Sequence, residues 1–150
     1  MKKEETIDHH IKATWHAVSR MYNQQAAKYG GTMSVGYVLL NISTEDGASA
    51  TKIAPQMGLE ARSLTRILKS MEEKGLIYRS ADPNDKRGVL IFLTKEGIAM
   101  KNRARETVLR FNEATRESIP AKKLEVFFEV LQSVNRIIEK NNIYESVANH

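Results

Sequence analysis

The chain has 150 residues, 41% of them hydrophobic and 27% charged, which is typical of one globular domain with a buried core. Its 23 Lys and Arg residues exceed its 18 Asp and Glu residues, and the resulting net charge of +5 suits an anionic partner. The absence of cysteine excludes disulfides, thiolate metal sites and thiol redox sensing, and no apolar run has membrane-spanning length, so we expect a cytoplasmic protein without a membrane partner.

Two helices are predicted in the first third of the chain. Apolar residues recur every three or four positions over residues 5–29, and Gly30 and Gly31 end this helix. Residues 33–44 are apolar around much of the helix circumference, which predicts a buried second helix followed by a break that ends at Gly47.

Two shorter helices follow, separated by a glycine. The stretch "SATKIAPQMG" predicts a helix capped by Ser49 and stopped at Gly58. The next helix spans residues 60–74 and has Gly75 at its C′ position. Short helices joined by a tight glycine-containing turn are typical of a helix-turn-helix.

A β-hairpin is predicted directly after this motif. "LIYRS" and "VLIFLT" have strand composition, and "DPNDKRG" connects them. Pro83 and Asn84 have turn chemistry, and Gly88 releases the chain into the second strand.

The turn does not explain Lys86 and Arg87. An arginine at a hairpin tip can enter a minor groove, where narrow A·T tracts concentrate negative potential. Asp85 lies two residues before Arg87, and its carboxylate could hold the guanidinium extended. The alternative is a solvated Asp/Arg pair worth roughly 0–1 kcal/mol of stability.

The chain continues with two long helices. Residues 95–118 form one, capped by Thr94, and Pro120 separates it from a second over residues 121–140. The polar tail from Asn141 is expected to be loose. The predicted fold is therefore mainly α with a small β wing: a winged helix-turn-helix over residues 33–94 within a single domain, 1–150.

The helices outside this lobe, 5–29 plus 95–140, have wide apolar stripes. The compact lobe offers little surface to cover them, so they are interpreted as N- and C-terminal dimerisation helices of a homodimer. The alternative is that the terminal helices pack on each other in a monomer.

The helix over residues 60–74 has an apolar back and a polar, cationic front. Such a helix fits the major groove, where arginine can bind guanine O6 and N7 and hydroxyls can reach phosphates or base edges. A solvated surface helix is the alternative. The residues predicted to contact DNA are Arg62, Ser63, Thr65, Arg66 and Lys69.

Residues 49–97 resemble the MarR family of bacterial transcription regulators through "LTR", "MEEKGLIYR", "DPNDKR" and "LTKEG". The resemblance implies a homodimer that reads a palindromic operator and a wing arginine, matched by Arg87, that enters the minor groove beside an acidic partner, matched by Asp85. Three residues depart from the family pattern. Glu60 replaces the usual Ser or Thr N-cap, Pro55 lies inside a helix, and Arg62 replaces a small residue.

The resemblance also implies a repressor released by a small aromatic or lipophilic effector, bound between the dimer helices and the DNA-binding lobe. The candidate lining is Trp15, His16, Tyr22, Met33 and Tyr37, and ordinary core packing is the alternative for each of them.

A second sensing hypothesis concerns His9, His10 and His16. Together with Asp8 they could bind a metal, but clustered histidines without a thiolate or a clear fourth ligand are usually surface residues, so no metal site is predicted.

Other classes of protein fit the sequence less well. All four histidines lie at positions 9, 10, 16 and 150, there is no cysteine nucleophile, and phosphate-loop and dinucleotide fingerprints are absent, so neither an enzyme nor a cofactor is expected. A winged helix used only for protein–protein contacts is the alternative function.

Overall fold

The structure of the chain, a computed structural model, describes residues 1–148. These residues divide into two compact units, one of them Met1–Val108 and the other from Leu109 onward. Helices α1 to α7 span Ile7–Ala27, Met33–Leu40, Ala50–Met57, Ala61–Glu73, Lys95–Ser118, Ala121–Lys140 and Ile143–Ala148. Strands β1 to β3 span Ala48–Ser49, Ile77–Asp82 and Asp85–Leu93. The prediction of a mainly α fold with a small β wing is confirmed. Within the described range, no helix combines the length and apolarity needed to cross a membrane.

Two predicted boundaries are wrong. Helix α2 ends at Leu40 rather than residue 44, because Ser43 and Gly47 form an antiparallel bridge that closes a tight turn. The tail, which was expected to lack regular structure, forms helix α7 over Ile143–Ala148, and Asn142 just before it has a φ of 38°, a left-handed conformation that asparagine tolerates.

The core of the first unit lies under the helix-turn-helix. Helix α4 buries Leu64, Leu68 and Met71, the residues whose helical spacing predicts a buried face. They pack in one cluster with buried residues of α2, α3 and the sheet, among them Val38, Leu39, Ile42, Ile53 and Ile91. This shared core fixes the back of α4 and leaves its opposite face in solvent.

The sheet has three strands in the order β1–β3–β2, one more strand than predicted. The short β1 pairs antiparallel with β3 through Ala48 opposite Ile91 and Ser49 opposite Leu90. Ser49 precedes α3 as predicted, but its hydroxyl lies 3.1 Å from the Thr51 hydroxyl and forms no capping hydrogen bond. Strand pairing therefore replaces the predicted cap in holding the start of α3.

The second unit contains α6, whose bounds match the prediction. Among the described residues of this helix none is buried, although it carries many large apolar side chains. Those more than one third exposed are Val126, Phe127, Phe128, Val130, Ile137 and Ile138. At 100° per residue they share one wide face with the half-buried Leu124, Leu131 and Val134.

Candidate nucleic-acid interface

Helix α4 presents the predicted cationic face to solvent. Arg62, Arg66 and Lys69 are exposed, as is Thr65, while Ser63 is half-buried. The Thr65 hydroxyl donates a 2.9 Å hydrogen bond to the Ala61 carbonyl, so it retains lone pairs that can accept from a ligand. The helical period explains this face, because the large apolar side chains of α4 lie on the opposite side of the helix.

The N-terminus of α4 lacks a side-chain cap. Glu60 occupies the N-cap position in extended conformation and makes no capping hydrogen bond. Glu60 in place of the usual Ser or Thr therefore leaves the start of α4 less well capped, as expected. The first backbone N–H groups of α4 have no side-chain partner at the N-cap, and the exposed Glu60 carboxylate lies beside them.

Replacing Glu60 by serine is expected to raise the free energy of unfolding by about 0.5–1 kcal/mol, because serine can accept from the first-turn N–H groups. Denaturant unfolding measures this gain. Glu60→Gln is the matched control: it removes the same charge and supplies a poorer cap, so its stability should stay near that of the original chain. Equal stabilisation by both variants would assign the effect to charge rather than capping.

The hairpin turn is tighter than predicted. Asp82 pairs with Asp85 across a two-residue turn formed by Pro83 and Asn84. The prediction of a seven-residue connection is therefore wrong, because both strands extend into it. Asn84 donates its backbone N–H to the Asp82 carboxylate at 2.9 Å, which stabilises the turn.

Lys86 and Arg87 consequently lie in β3, just beyond the tip. The next pair after Asp82 and Asp85 joins Ala81 to Val89. Three residues of β3 therefore lie between two successive residue pairs, where β2 advances by only one residue. This bulge holds Lys86, Arg87 and Gly88, and both cations are exposed. A bulge re-aims side chains out of the plane of a hairpin, which suits groups that must reach a ligand.

Asp85 acts on the backbone of Arg87. Its carboxylate accepts a 3.0 Å hydrogen bond from the Arg87 backbone N–H, rather than from the guanidinium as the sequence interpretation had it. The physical reason is the Asx turn, in which an aspartate side chain bonds the N–H two residues ahead. Asp85 thus sets the backbone from which Arg87 projects.

The end of α4 and the hairpin are joined by an ion pair. The guanidinium of Arg79, on β2, lies 3.0 Å from the Glu72 carboxylate near the end of α4. Both side chains are substantially exposed, so the pair contributes at most about 1 kcal/mol. Its geometric effect is to link the hairpin to the recognition-helix candidate.

Five cations on these two elements remain without a carboxylate partner in the described part of the chain. They are Arg62, Arg66, Lys69, Lys86 and Arg87. Helix α3 adds exposed Thr51 and Lys52, which the sequence analysis did not single out. Their position at the start of the first helix of a helix-turn-helix, which crosses the phosphate backbone, is the signal that could have found them.

A separate cavity lies between α1, α2 and α5. Tyr22, Met33 and Tyr37 line it, together with Ala104 and other residues, and its volume is only about 20 Å³, room for one water molecule. Trp15 and His16 belong to a different, open depression on α1, so the five predicted lining residues do not form one cavity. Trp15 is nevertheless linked to the cavity through the ring of Tyr37, 6.5 Å away between centroids.

The two tyrosine hydroxyls at this cavity remain protonated at neutral pH. Burial raises the pKa of both phenols above the usual value of 10.0, and the nearby Tyr37 raises that of Tyr22 further. The rings meet edge to face with centroids 6.2 Å apart. A protonated phenol can donate a hydrogen bond to a polar group of a ligand.

The N-terminal histidines do not assemble a metal centre in residues 1–148, where no group of three or more potential ligand side chains converges. The rings of His9 and His10 pack edge to face, 5.5 Å apart, and His10 Nε2 lies 2.6 Å from the Glu4 carbonyl oxygen. These contacts account for two of the three histidines as surface residues of α1.

A helix-turn-helix followed by a β-hairpin, with cations on the second helix and the hairpin that have no carboxylate partner among residues 1–148, is the arrangement found in winged-helix DNA-binding proteins. The MarR family model matches residues 32–89, which include α2, α3, α4 and most of the hairpin. The winged helix-turn-helix part of the chain is therefore similar to the MarR family.

Two curated relatives are similar to the chain. The HTH-type transcriptional regulator TtmR of Methylorubrum extorquens is 34% identical over 93 residues, which are 62% of this chain and 48% of that protein. The chain thus spans about half the length of TtmR. The organic hydroperoxide resistance transcriptional regulator of Bacillus subtilis is 29% identical over 140 residues, 90% of this chain and 95% of that protein. Both relatives are regulators rather than enzymes.

A solved structure agrees over the same extent. CouR of Rhodococcus jostii RHA1, bound to p-coumaroyl-CoA, superimposes with a TM-score of 0.75 at 25% identity, covering 89% of this chain and 94% of CouR. CouR has also been solved as a repressor on a 23-mer DNA duplex, with a TM-score of 0.76 and 24% identity.

Proposed function

We propose that this chain is a cytoplasmic repressor that binds a palindromic operator as a homodimer and is released by a small effector. The observation that carries the proposal is the set of five exposed cations, unpaired within the described residues, on α4 and the adjoining hairpin. Cations without internal partners exchange water and counterions for phosphates on binding, which favours duplex DNA.

In this proposal α4 enters the major groove and the hairpin reaches the adjacent minor groove. Arg62 and Arg66 lie one turn apart on the exposed face, so both can address base edges, while Lys69 lies closer to the backbone. Arg87 projects from the bulge and suits a narrow minor groove. Lys86, beside it, supplies charge to the flanking phosphates.

The homodimer is proposed from exposed apolar surface. On the wide face of α6, the exposed large apolar side chains are 43–65% accessible to solvent. Three apolar side chains of α1 fall in the same range: Ile7, Ile11 and Trp15. A second copy of the chain would cover these faces around a two-fold axis, and a two-fold dimer presents two α4 helices to the two halves of a palindrome.

The proposed effector is a small aromatic or lipophilic molecule that binds at the cavity between α1, α2 and α5. The aromatic lining and the protonated phenols of Tyr22 and Tyr37 support this chemistry, and the ligand of CouR carries an aromatic acyl group. A cavity of about 20 Å³ admits no such molecule, so binding requires a displacement of at least one of the three helices. That displacement is the proposed cause of release.

A module that only contacts other proteins is the second candidate function, and salt dependence separates the two. Operator affinity should fall linearly with the logarithm of salt concentration, with a slope set by the number of phosphates contacted. A protein-contact module should bind no duplex at moderate salt. Selection of bound sequences from a random DNA library tests the proposal directly, and a palindromic consensus is the expected result.

Arg87→Ala is expected to weaken binding to the selected operator about 100-fold, because each of two wings loses roughly 1.4 kcal/mol. Fluorescence anisotropy with a labelled operator measures this change. The melting temperature should not move, since the Arg87 side chain is exposed. Arg87→Lys is the matched control: it keeps the charge but not the planar fork, and it should recover only part of the affinity. Full recovery by lysine would reduce the role of Arg87 to phosphate contact.

A further inference from the structure

One side chain ties the end of the recognition helix to the start of α5. The hydroxyl of Thr94 donates a 2.6 Å hydrogen bond to the Gly75 carbonyl, at the C-terminal end of α4. The same oxygen accepts a 3.0 Å hydrogen bond from the Gly97 N–H, in the first turn of α5. Its two hydrogen bonds therefore join two helices that are separated by the whole hairpin.

The backbone around this hydroxyl is equally tight. The Thr94 N–H donates to the Leu76 carbonyl at 3.0 Å, and Leu76 in turn donates its own N–H to the Met71 carbonyl of α4 at 2.9 Å. Gly97 lies so close to the Leu76 carbonyl oxygen that a Cβ would collide with it. One turn further along, the Lys101 ammonium donates a 2.5 Å hydrogen bond to the Ile42 carbonyl, just after α2.

We propose that the Thr94 hydroxyl is a positioning group that makes α4 move with the first turns of α5. The inference rests on the proposed function, because α5 also contributes Ala104, Thr107 and Val108 to the wall of the effector cavity. Ala104 lies about 15 Å along the helix from Thr94, at 1.5 Å per residue. A displacement of α5 by an effector would reach α4 through this hydroxyl.

The simpler role for Thr94 is to cap α5, and three substitutions separate the two roles. Serine retains both hydrogen bonds. Aspartate can accept from Gly97 and cap the helix, but it cannot donate to the Gly75 carbonyl. Valine keeps the shape and forms neither bond. A positioning role requires the donated bond, whereas a capping role requires only the accepted one.

The first measurement is amide hydrogen exchange in the free full-length chain, which does not depend on DNA binding. Thr94→Val and Thr94→Asp should both accelerate exchange in the last turn of α4, about tenfold for the loss of one hydrogen bond. Thr94→Ser should exchange like the original chain. Acceleration confined to the first turn of α5, or an unchanged α4 in the aspartate variant, would overturn the inference.

The second measurement is affinity for the selected operator. Thr94→Ser should bind normally, and the valine and aspartate variants should bind about tenfold more weakly. Because valine carries no charge, weaker binding by Thr94→Val cannot be due to the charge that aspartate adds. Ile98→Val, a small core change one turn into α5, controls for lost stability. Equal weakening by Ile98→Val, or normal binding by Thr94→Val, would refute the positioning role. If the original chain binds no DNA, the proposed function is refuted. The hydrogen-exchange measurement still tests the link between α4 and α5, because it does not involve DNA.

Discussion

Val130→Asp is expected to convert the proposed homodimer into a monomer and to abolish operator binding. Val130 is 52% exposed in the single chain and lies within the wide apolar face of α6, with Phe127 one turn before it and Ile137 two turns after it. In a dimer this face would be covered, and each copy would then bury one aspartate against apolar side chains. Burying a charge without a partner costs at least several kcal/mol, and two-fold symmetry counts the cost twice.

The measurement is light scattering across a concentration series, together with operator affinity. A penalty of about 4 kcal/mol raises the dimer dissociation constant about 1,000-fold, enough to leave monomer at micromolar concentration. Gln132→Asp is the matched control, because it introduces the same charge on the opposite, polar face of α6. It should remain dimeric and bind DNA. A dimeric Val130→Asp, or a monomeric original chain, would contradict the proposed interface.

Gly97→Ala is expected to destabilise the chain by about 3 kcal/mol, the upper part of the range for overpacking a tight site. The added Cβ would collide with the Leu76 carbonyl oxygen, a backbone atom that accepts the Thr94 N–H and cannot simply rotate away. For a chain of this size the melting temperature should fall by roughly 10 °C. Denaturant unfolding of the full-length protein measures the free energy directly.

Gly36→Ala is the matched control for this substitution. A Cβ on Gly36 would meet the Ala104 Cβ at 3.5 Å, an ordinary contact, and Gly36 lies within α2. Alanine is the better helix former by about 0.5–1 kcal/mol, so this variant should be neutral or more stable. Equal losses at both glycines would mean that the close approach at Leu76 does not exist in solution.

The pattern of elements followed from the sequence wherever a periodic signal was long. Helix α6 begins and ends at the predicted residues, and α1, α4 and α5 agree within two residues, because each carries several turns of regular apolar spacing. Gly58 and Gly75 end α3 and α4 with positive φ, as their positions predict. The shortest strand was not predicted. Strand β1 has only two residues, and its strand conformation depends on pairing with β3.

The candidate interface divides in the same way. The exposed cations of α4 were predictable, since an amphipathic helix that buries Leu64, Leu68 and Met71 must turn Arg62, Arg66 and Lys69 outward. The bulge of the wing was not, because it depends on which residues of two strands pair. The same local geometry decides that the Asp85 carboxylate accepts a hydrogen bond from the backbone N–H of Arg87 rather than from its guanidinium.

The sequence by itself determined the order of helices and strands, the anchored back and cationic front of α4, and the resemblance of residues 49–97 to the MarR family. These properties rest on local spacing and on the chemistry of single residues. Only the tertiary structure decided which distant groups meet: the separation of Trp15 and His16 from the cavity of Tyr22, Met33 and Tyr37, the close approach of Gly97 to Leu76, and the bridge from Gly75 through Thr94 to Gly97. Contacts between residues far apart in the chain depend on how whole elements pack, and no local pattern carries that information.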